Sequence, residues 1–432
     1  MTKRQVTKIS IYTGMSIVVA NMIGTGAFTS LGFQLVDLSN TGAILSLWIL
    51  GGLLALSGAF SYAEVGTVIK RSGGEFAFLS QIYHPVIGYL SGWISLTVGF
   101  AAPIALAVIA FTEYFPISTA YPKLIGILLI AGITLIHSFS LNSSSKFQNI
   151  TTLLKVSLIA ILIITGLALP AGTENAINFE KPYLGEITST AFAVSLIYVS
   201  YSYSGWNAAA YITEEFKNPV KALPIALIGG TLVVTLLYTL LQFVFLKHVP
   251  LAELTGKLNV GTIAVQHMLG DQFAKLFGVA ISLLLISGIS AMVWVGPRVT
   301  ASIAKEYSLW KYFKDNAKGI PVKALWLQFL ISVILILSGT FEQIMIYCGV
   351  LLSVSCLLVV IGTFILRVKN KDSLSKGFKS PLFPLFQIFF IVISLWMIGF
   401  AFFNNPIECI IGLSNILLGL ATYFLSIRLK QS

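Results

Sequence analysis

Charged side chains are scarce in this chain. Lys, Arg, Asp and Glu make up 10% of its 432 residues, only 16 of them carboxylates, while 56% of residues are hydrophobic. Mean hydropathy is +0.90. A soluble protein of this length needs more charged surface; a bilayer removes the need, because the outer surface must itself be apolar. Cysteine is nearly missing. Cys348, Cys356 and Cys409 lie in or beside apolar segments without metal-ligand spacing, so neither a disulfide framework nor a metal site is suggested. His84, His137, His248 and His267 fall near the ends of apolar runs or in loops, and Asp37, Asp271, Asp315 and Asp372 at edges or in loops. No paired-His, HExxH or Ser/His/Asp constellation is spelled out, which argues against a membrane-embedded enzyme and calls for no cofactor.

What is present in quantity is apolar sequence. Runs of 18 or more apolar residues recur along the whole chain, and each is a transmembrane helix candidate. About twelve spans fit, near residues 9–31, 42–66, 85–112, 124–139, 149–169, 187–211, 222–246, 273–304, 322–339, 341–366, 382–403 and 406–427. The basic start Met1–Lys8 followed by an apolar run is shaped like a signal peptide. The run is long, holds Asn21 and Gly24-Thr-Gly26, and lacks a small-residue cleavage site, so it reads as the first span. With both termini on the cytoplasmic side, Lys123, Lys181, Lys247, Lys257 and Lys275 fall outside and Lys155 within a span. The other 21 of the 27 basic residues fall inside. That asymmetry fixes the orientation and explains the net charge of +11 without a nucleic-acid partner. The reading is an all-α integral membrane protein in the plasma membrane, with the lipid bilayer as its surroundings. The longest connection, Lys247 to Gln272, faces outside and is long enough to cap a vestibule.

Two spans are unlike the rest. The first carries Asn21-Met-Ile-Gly-Thr-Gly-Ala-Phe28 and the sixth Tyr198-Val-Ser-Tyr-Ser-Tyr-Ser-Gly-Trp-Asn207. Glycine weakens a helix, and Ser and Asn compete for its backbone bonds, so both are places to unwind. Small residues also serve helix packing, and one GxG alone means little. Position adds weight: span one opens one five-helix group and span six the next. Paired interruptions at corresponding positions in two halves point to a transporter binding site, because unwound backbone in a membrane must line a cavity or be buried in protein. Half-helices expose N–H groups at one end and carbonyls at the other. An α-amino acid zwitterion matches both. Backbone near Ile23, Gly24, Thr25, Gly26 and Ala27 is expected to take the carboxylate, and carbonyls near Ile23, Tyr201, Ser202 and Ser204 the ammonium group. A bulky residue at Gly26 is expected to abolish transport with the fold intact.

Ser61-Tyr-Ala-Glu-Val-Gly-Thr67 followed by Arg71-Ser-Gly-Gly-Glu-Phe76 resembles the segment after the second helix of amino acid–polyamine–organocation permeases. Gly24-Thr-Gly-Ala-Phe28 resembles their first-helix glycine motif. Tyr203-Ser-Gly-Trp-Asn207 with Tyr211-Ile-Thr-Glu-Glu-Phe-Lys-Asn-Pro219 is similar to the sixth-helix region of the L-type amino acid transporter branch, and Gly296-Pro-Arg-Val299 to the end of the eighth helix in bacterial relatives. The order and spacing fit over ten spans; the last two carry little signature. The resemblance implies a LeuT-type fold: one transporter domain of two inverted five-helix repeats, 9–169 and 187–366, plus two helices over 382–427. It implies a substrate site between helices 1, 3, 6, 8 and 10. Tyr201 matches the aromatic gate beside the sixth-helix break, and Gly205, Trp206 and Asn207 belong to the same motif. Animal L-type transporters join a heavy chain through a cysteine between helices 3 and 4. Thr112 to Lys123 contains none, so no disulfide-linked partner is expected.

Lys155 lies about two turns inside span five, roughly 10 Å from its end by helical rise. An intramembrane charge is costly and a functional candidate, although a lysine at that depth can also snorkel. The resemblance implies that a fifth-helix lysine replaces a sodium ion and bridges helices 1 and 8, as a fixed cation or a proton carrier. No Asp or Glu falls mid-span, which favours neutral amino acids over cationic ones or polyamines. Glu64, Glu75, Glu214 and Glu215 could pair with Lys70, Arg71, Arg298 or Lys305 as a cytoplasmic gate, or be solvated loop charges. The function read from the sequence is sodium-independent transport or exchange of neutral L-amino acids by alternating access. A cationic amino acid or polyamine permease and a proton-coupled symporter stay open, and a channel or receptor fits the paired breaks less well.

Overall fold

The computed structural model describes residues 9–115, 120–139, 144–171, 182–316, 319–369 and 377–431. The leader Met1–Lys8 and Lys181, Lys318, Lys371 and Lys376, all counted in the charge asymmetry, lie outside the described residues. Among the described residues the chain is helical, and the one strand-like feature is an isolated parallel bridge between Ile9 and Phe216.

Span one is two helices, α1 (Ile11–Met22) and α2 (Gly26–Gln34). Span two is α3 (Thr41–Ile69), followed by a short helix, α4 (Gly74–Ile82). Span three starts as α5 (Pro85–Ile94), passes through a π-helical turn over Ser95–Gly99 and ends as α6 (Ala101–Tyr114). Spans four and five are α7 (Pro122–Phe139) and α8 (Ser144–Ala168). A single turn, α9 (Tyr183–Ile187), precedes span six. That span is α10 (Thr190–Ser202), an irregular turn over 203–207 and a 3₁₀ helix, Ala208–Glu215. Span seven is α11 (Pro219–His248). Its connection onward holds α12 (Leu251–Leu254) and α13 (Val260–Leu269). Span eight is α14 (Asp271–Glu306), and a 3₁₀ helix over Ser308–Phe313 follows it. The last four spans are α15 (Val322–Ser338), α16 (Phe341–Lys369), α17 (Leu385–Asn404) and α18 (Pro406–Gln431).

Among the described residues, nine segments are long and apolar enough to cross a bilayer, counting the interrupted spans one and three as single segments. Thr152–Ala168, Thr190–Ser202 and Val322–Ser338 are shorter apolar helices at the positions of spans five, six and nine. The burial pattern is that of a membrane protein: Leu128 and Ile136 on α7, Phe403 at the end of α17 and Ile407 and Leu417 on α18 are largely exposed. Polar side chains such as Gln34, Glu64, Gln242 and Thr300 are fully buried.

Local sequence explains where the helices start and distort. Ser10 accepts from Thr13 N–H at 3.2 Å, Asn40 from Ala43 N–H at 3.0 Å and Ser189 from Phe192 N–H at 3.1 Å, so α1, α3 and α10 each begin at a side-chain cap. In span three Pro103 has no N–H for the carbonyl four residues earlier, Gly99, and its ring crowds that position. The distortion is taken up there as the π-helical turn ending at Gly99.

The connection after α11 folds back over one end of the bundle. Gly256 N–H donates to Gly32 O at 2.8 Å, and a Cβ at Gly32 would lie 2.1 Å from Lys257 O. Phe28 meets Phe277 edge-on at 6.2 Å, and Phe33 stacks on Phe341 at 5.8 Å. The expected cap over a vestibule is thus packed onto the second half of span one. At the opposite end, among the described residues, Ser10, Tyr12, Thr13 and Ser16 at the start of span one are exposed, and Ile9, Thr13 and Ile17 line a cavity.

Candidate functional site

The two broken spans meet. A Cβ at Gly26 would lie 2.6 Å from Ser202 Cα, so the start of α2 rests on the backbone that ends α10. Gly205 holds φ +97°, and a Cβ there would lie 2.8 Å from the carbonyl of Asn21, so only glycine fits against span one at this point. The hydroxyls of Ser30 and Ser202 are 3.0 Å apart and each also donates to its own helix. Both breaks border a single cavity of about 770 Å³. It runs from Ile9, Thr13 and Ile17 past Asn21 to the breaks, and is walled by the π-helical turn of span three, by α14 near Gly288, and by Gly349 and Ser353 of α16. Asn21, in the middle of span one, is exposed through it.

Neighbouring side chains hold the opened backbone of span one. Met22 O accepts from Tyr238 OH at 2.5 Å, Ile23 O from Lys155 Nζ at 3.2 Å, Ala27 O from Gln242 Nε2 at 2.8 Å and Phe28 O from Tyr114 OH at 2.8 Å. Met22 O and Ile23 O, which a continuous helix would satisfy internally, are thus met from spans seven and five, as a dry setting requires, while Ala27 O and Phe28 O lie in the first turn of α2 and gain a further donor each. The first turn of α2 has no side-chain cap. Gly24, Thr25 and Gly26 at that helix start line the cavity, and an uncapped helix start, with the positive end of its dipole, is a ready anion site.

The residues expected at the site are mostly brought together. Ile23, Gly24, Thr25, Gly26, Tyr201, Ser202, Ser204, Gly205, Trp206 and Asn207 line the cavity, as does Lys155. Ala27 is fully buried behind the wall. Tyr201 bonds the Thr25 side chain, linking the two breaks. Trp206 is seated on Tyr62, 4.7 Å between rings, and over Gly58, so it fixes the turn to α3. Lys155 does not snorkel: it is 8% exposed, bonds Ile23 O, and its Nζ lies where a Cβ at Gly288 would be 3.5 Å away. Its head lies between spans one and eight.

The four acids considered for a gate separate. Glu64 is fully buried, accepts a forked pair from Arg367 at 2.6 and 2.7 Å, and also meets Ser380 N–H at 2.7 Å. Its partner is therefore none of Lys70, Arg71, Arg298 and Lys305. Arg71 pairs with Glu306 at 2.9 Å and Lys305 with Asp315 at 3.2 Å. Arg298 lies over the Trp294 ring, 3.4 Å from its centre, and donates to Trp294 O. Glu214 and Glu215 stand at the mouth, and Glu215 lines it. Partial burial of Glu215, with Glu214 beside it, lifts its carboxyl above the usual range.

Sequence reasoning missed two residues that brace the site from behind, and it considered a third, Glu75, only as a gate acid. Tyr238 and Gln242 project from an unremarkable apolar span. Glu75 reads as a loop acid, yet it is buried and lines the cavity, accepting from Tyr62, Asn207 and Tyr211. Its place in the motif Arg71-Ser-Gly-Gly-Glu-Phe76 was the only available signal. Among the described residues no group of three or more His, Cys, Asp or Glu could hold a metal ion.

The sequence profile described as amino acid permease matches residues 9–411. A b(0,+)-type amino acid transporter 1 of Mus musculus is 30% identical over 438 aligned positions, covering 98% of this chain and 88% of the mouse protein. The cystine/glutamate transporter of Homo sapiens is 28% identical over 432 positions, covering 97% and 85%. The large neutral amino acids transporter small subunit 2 of Mus musculus is 28% identical over 444, covering 97% and 81%. With a cavity at two broken spans and a family match over nearly its whole length, the chain belongs to the amino acid permease family.

Proposed function

We propose that this protein carries amino acids across the plasma membrane by alternating access, without sodium and in exchange for a second amino acid. One observation supports this above the others: the two breaks face the same cavity, with the uncapped start of α2 against the end of α10. The substrate carboxylate would take the N–H groups from Gly24 to Ala27. The ammonium group would take the carbonyls that close α10, around Ser202 and Ser204, and share Ile23 O, which has a second lone pair beside Lys155. Tyr201 would close over the bound molecule. The five-helix units 9–169 and 187–366 would be the inverted halves, with 382–427 as peripheral helices. The cavity end would be cytoplasmic, as the basic-residue asymmetry supports, and no disulfide-linked heavy chain would be needed.

Neutral substrates fit best. Glu75 puts a carboxylate on the cavity wall, which favours cationic amino acids as the second reading. Three donors already converge on its two oxygens, however. Counterflow in proteoliposomes tests both. With one unlabelled amino acid inside and no sodium, labelled neutral amino acids are expected to accumulate. Accumulation of only labelled arginine or lysine would establish the second reading, and silence across the panel from folded protein would overturn the first. Tyr238→Phe deletes one hydroxyl at the break. It is expected to raise KM about tenfold, the cost of losing one buried hydrogen bond of ~1.4 kcal/mol, with little loss of thermal stability. An unchanged KM would remove Tyr238 from the site.

A further inference from the structure

Glu75 pairs with none of the basic residues considered for a gate, and its oxygens are already engaged by donors of this chain. It opens α4, is 3% exposed, and presents both oxygens to donors from two other elements. Tyr62 OH of α3 donates to Oε1 at 2.7 Å. From the far side of the span-six break, Asn207 Nδ2 donates to Oε1 and Tyr211 OH to Oε2. The adjoining backbone repeats the connection. Gly73 N–H donates to Tyr211 O at 3.1 Å, and Glu214 N–H to Ser72 Oγ at 3.0 Å. A Cβ at Gly74 would lie 2.7 Å from the Tyr211 ring. The loop 72–75 therefore grips the segment 207–214, and Glu75 is the charged centre of the grip.

The same segment is joined to span one. Ile9 N–H donates to Glu215 O at 2.8 Å, and Lys217 N–H to Ile9 O at 3.4 Å. Ile9, Thr13, Ile17, Tyr211, Ile212 and Glu215 together line one side of the cavity mouth, whereas α4 packs against α5 and α16. Closing the cavity at this end must shift the first group relative to the second. Every bond from 72–75 to 207–214 crosses that boundary.

We propose that Glu75 is a positioning residue of the transport cycle: by holding Asn207 and Tyr211 against α3 and α4, it stabilises the conformation in which the cavity is open at the end where the chain starts. The role rests on the alternating-access reading above. A carboxylate suits it because both oxygens accept. An amide offers one acceptor and turns its N–H groups either toward Tyr211 in place of Oε2 or toward Tyr62 and Asn207 in place of Oε1, all of which are already donating. Loss of the charge thus weakens the open state without removing the side chain's volume.

The test reads conformation directly. With Cys348, Cys356 and Cys409 replaced by Ser, Asn21→Cys supplies a thiol exposed in this cavity. An impermeant maleimide is applied at the open face of oriented proteoliposomes. Glu75→Gln is expected to slow labelling about fivefold or more, with Glu75→Asp, which keeps the charge, in between. Equal or faster labelling in Glu75→Gln overturns the proposal. Tyr211→Phe, which deletes one donor, must slow labelling in the same direction by a smaller factor, and it decides the matter if the Glu75 variants fail to fold. Counterflow by the parent protein separates the two levels. Normal counterflow with unaltered labelling sinks the positioning role alone. Absent counterflow with slowed labelling sinks the transport reading and leaves the grip on span six standing.

Discussion

One methyl group at Gly26 is expected to lower exchange by at least about 100-fold while the protein still folds. The added Cβ would lie 2.4 Å from Ser202 Oγ and 2.6 Å from Ser202 Cα. A hydroxyl can rotate away; a backbone atom in a packed helix end cannot. The start of α2 and the end of α10 must then separate by several tenths of an ångström at the point where the proposed ligand groups converge. Overpacking of this kind costs about 1–3 kcal/mol, well inside the ~5–15 kcal/mol that holds a typical domain together. A misplacement approaching 1 Å in a functional site costs on the order of 10²-fold. Ala is therefore enough; the bulky residue that the sequence suggested is not needed, and the damage lies in the contact between two spans as well as in the ligand's space. Gly24→Ala is the comparison, since a Cβ there has no neighbour closer than 3.9 Å. Initial exchange rates and melting temperatures of the two variants check this. Equal rates for both would mean that the 26–202 contact does not shape the site.

The breaks were legible because they contradict their surroundings. Gly24-Thr-Gly26 and Ser202-Tyr-Ser-Gly-Trp-Asn207 are polar or flexible interruptions in a chain that is 56% hydrophobic, and a bilayer leaves few reasons for them. Lys155 was legible for the same reason. What braces the break of span one and the start of α2 was not. Tyr238, Gln242 and Tyr114 each carry one polar group on an apolar span, and only packing decides which of many such residues turns inward. Charge pairing failed to read for a related reason. Glu64 finds Arg367 across 303 positions, a choice that depends on how α16 lies beside α3. Glu75 was hidden by its loop-like motif, because nothing local says that α4 folds back beneath the break of span six. In span three the missing N–H of Pro103 acts four residues upstream, so the irregular turn ends at Gly99 rather than at the proline.

Replacing Lys155 by Met is expected to reduce exchange about 10- to 100-fold, and added sodium is expected not to restore it. A lysine near the centre of a membrane helix costs about 3 kcal/mol on insertion scales, so its retention needs a compensating partner. The structure supplies the Ile23 carbonyl at 3.2 Å, in the opened turn of span one. Among the described residues no carboxylate pairs with Lys155. The ammonium group therefore acts on backbone that the proposed substrate also uses. Met keeps the length and apolar stem of Lys, so its effect isolates the charged head. Losing that head leaves a buried carbonyl short of a donor, worth about 1–3 kcal/mol, which converts to the stated range. Arg should not rescue: its planar guanidinium is wider than an ammonium group, and Nζ already stands where a Cβ at Gly288 would be 3.5 Å away. Sodium dependence separates the two roles a fixed cation can have. If Lys155 only braces span one, exchange by Lys155→Met is indifferent to sodium, as in the parent. If it fills a place that a metal ion could take, the Met variant gains a sodium response while the parent has none. A parent protein that needs a sodium gradient would rule out both, because the site would then require two cations beside a single opened turn.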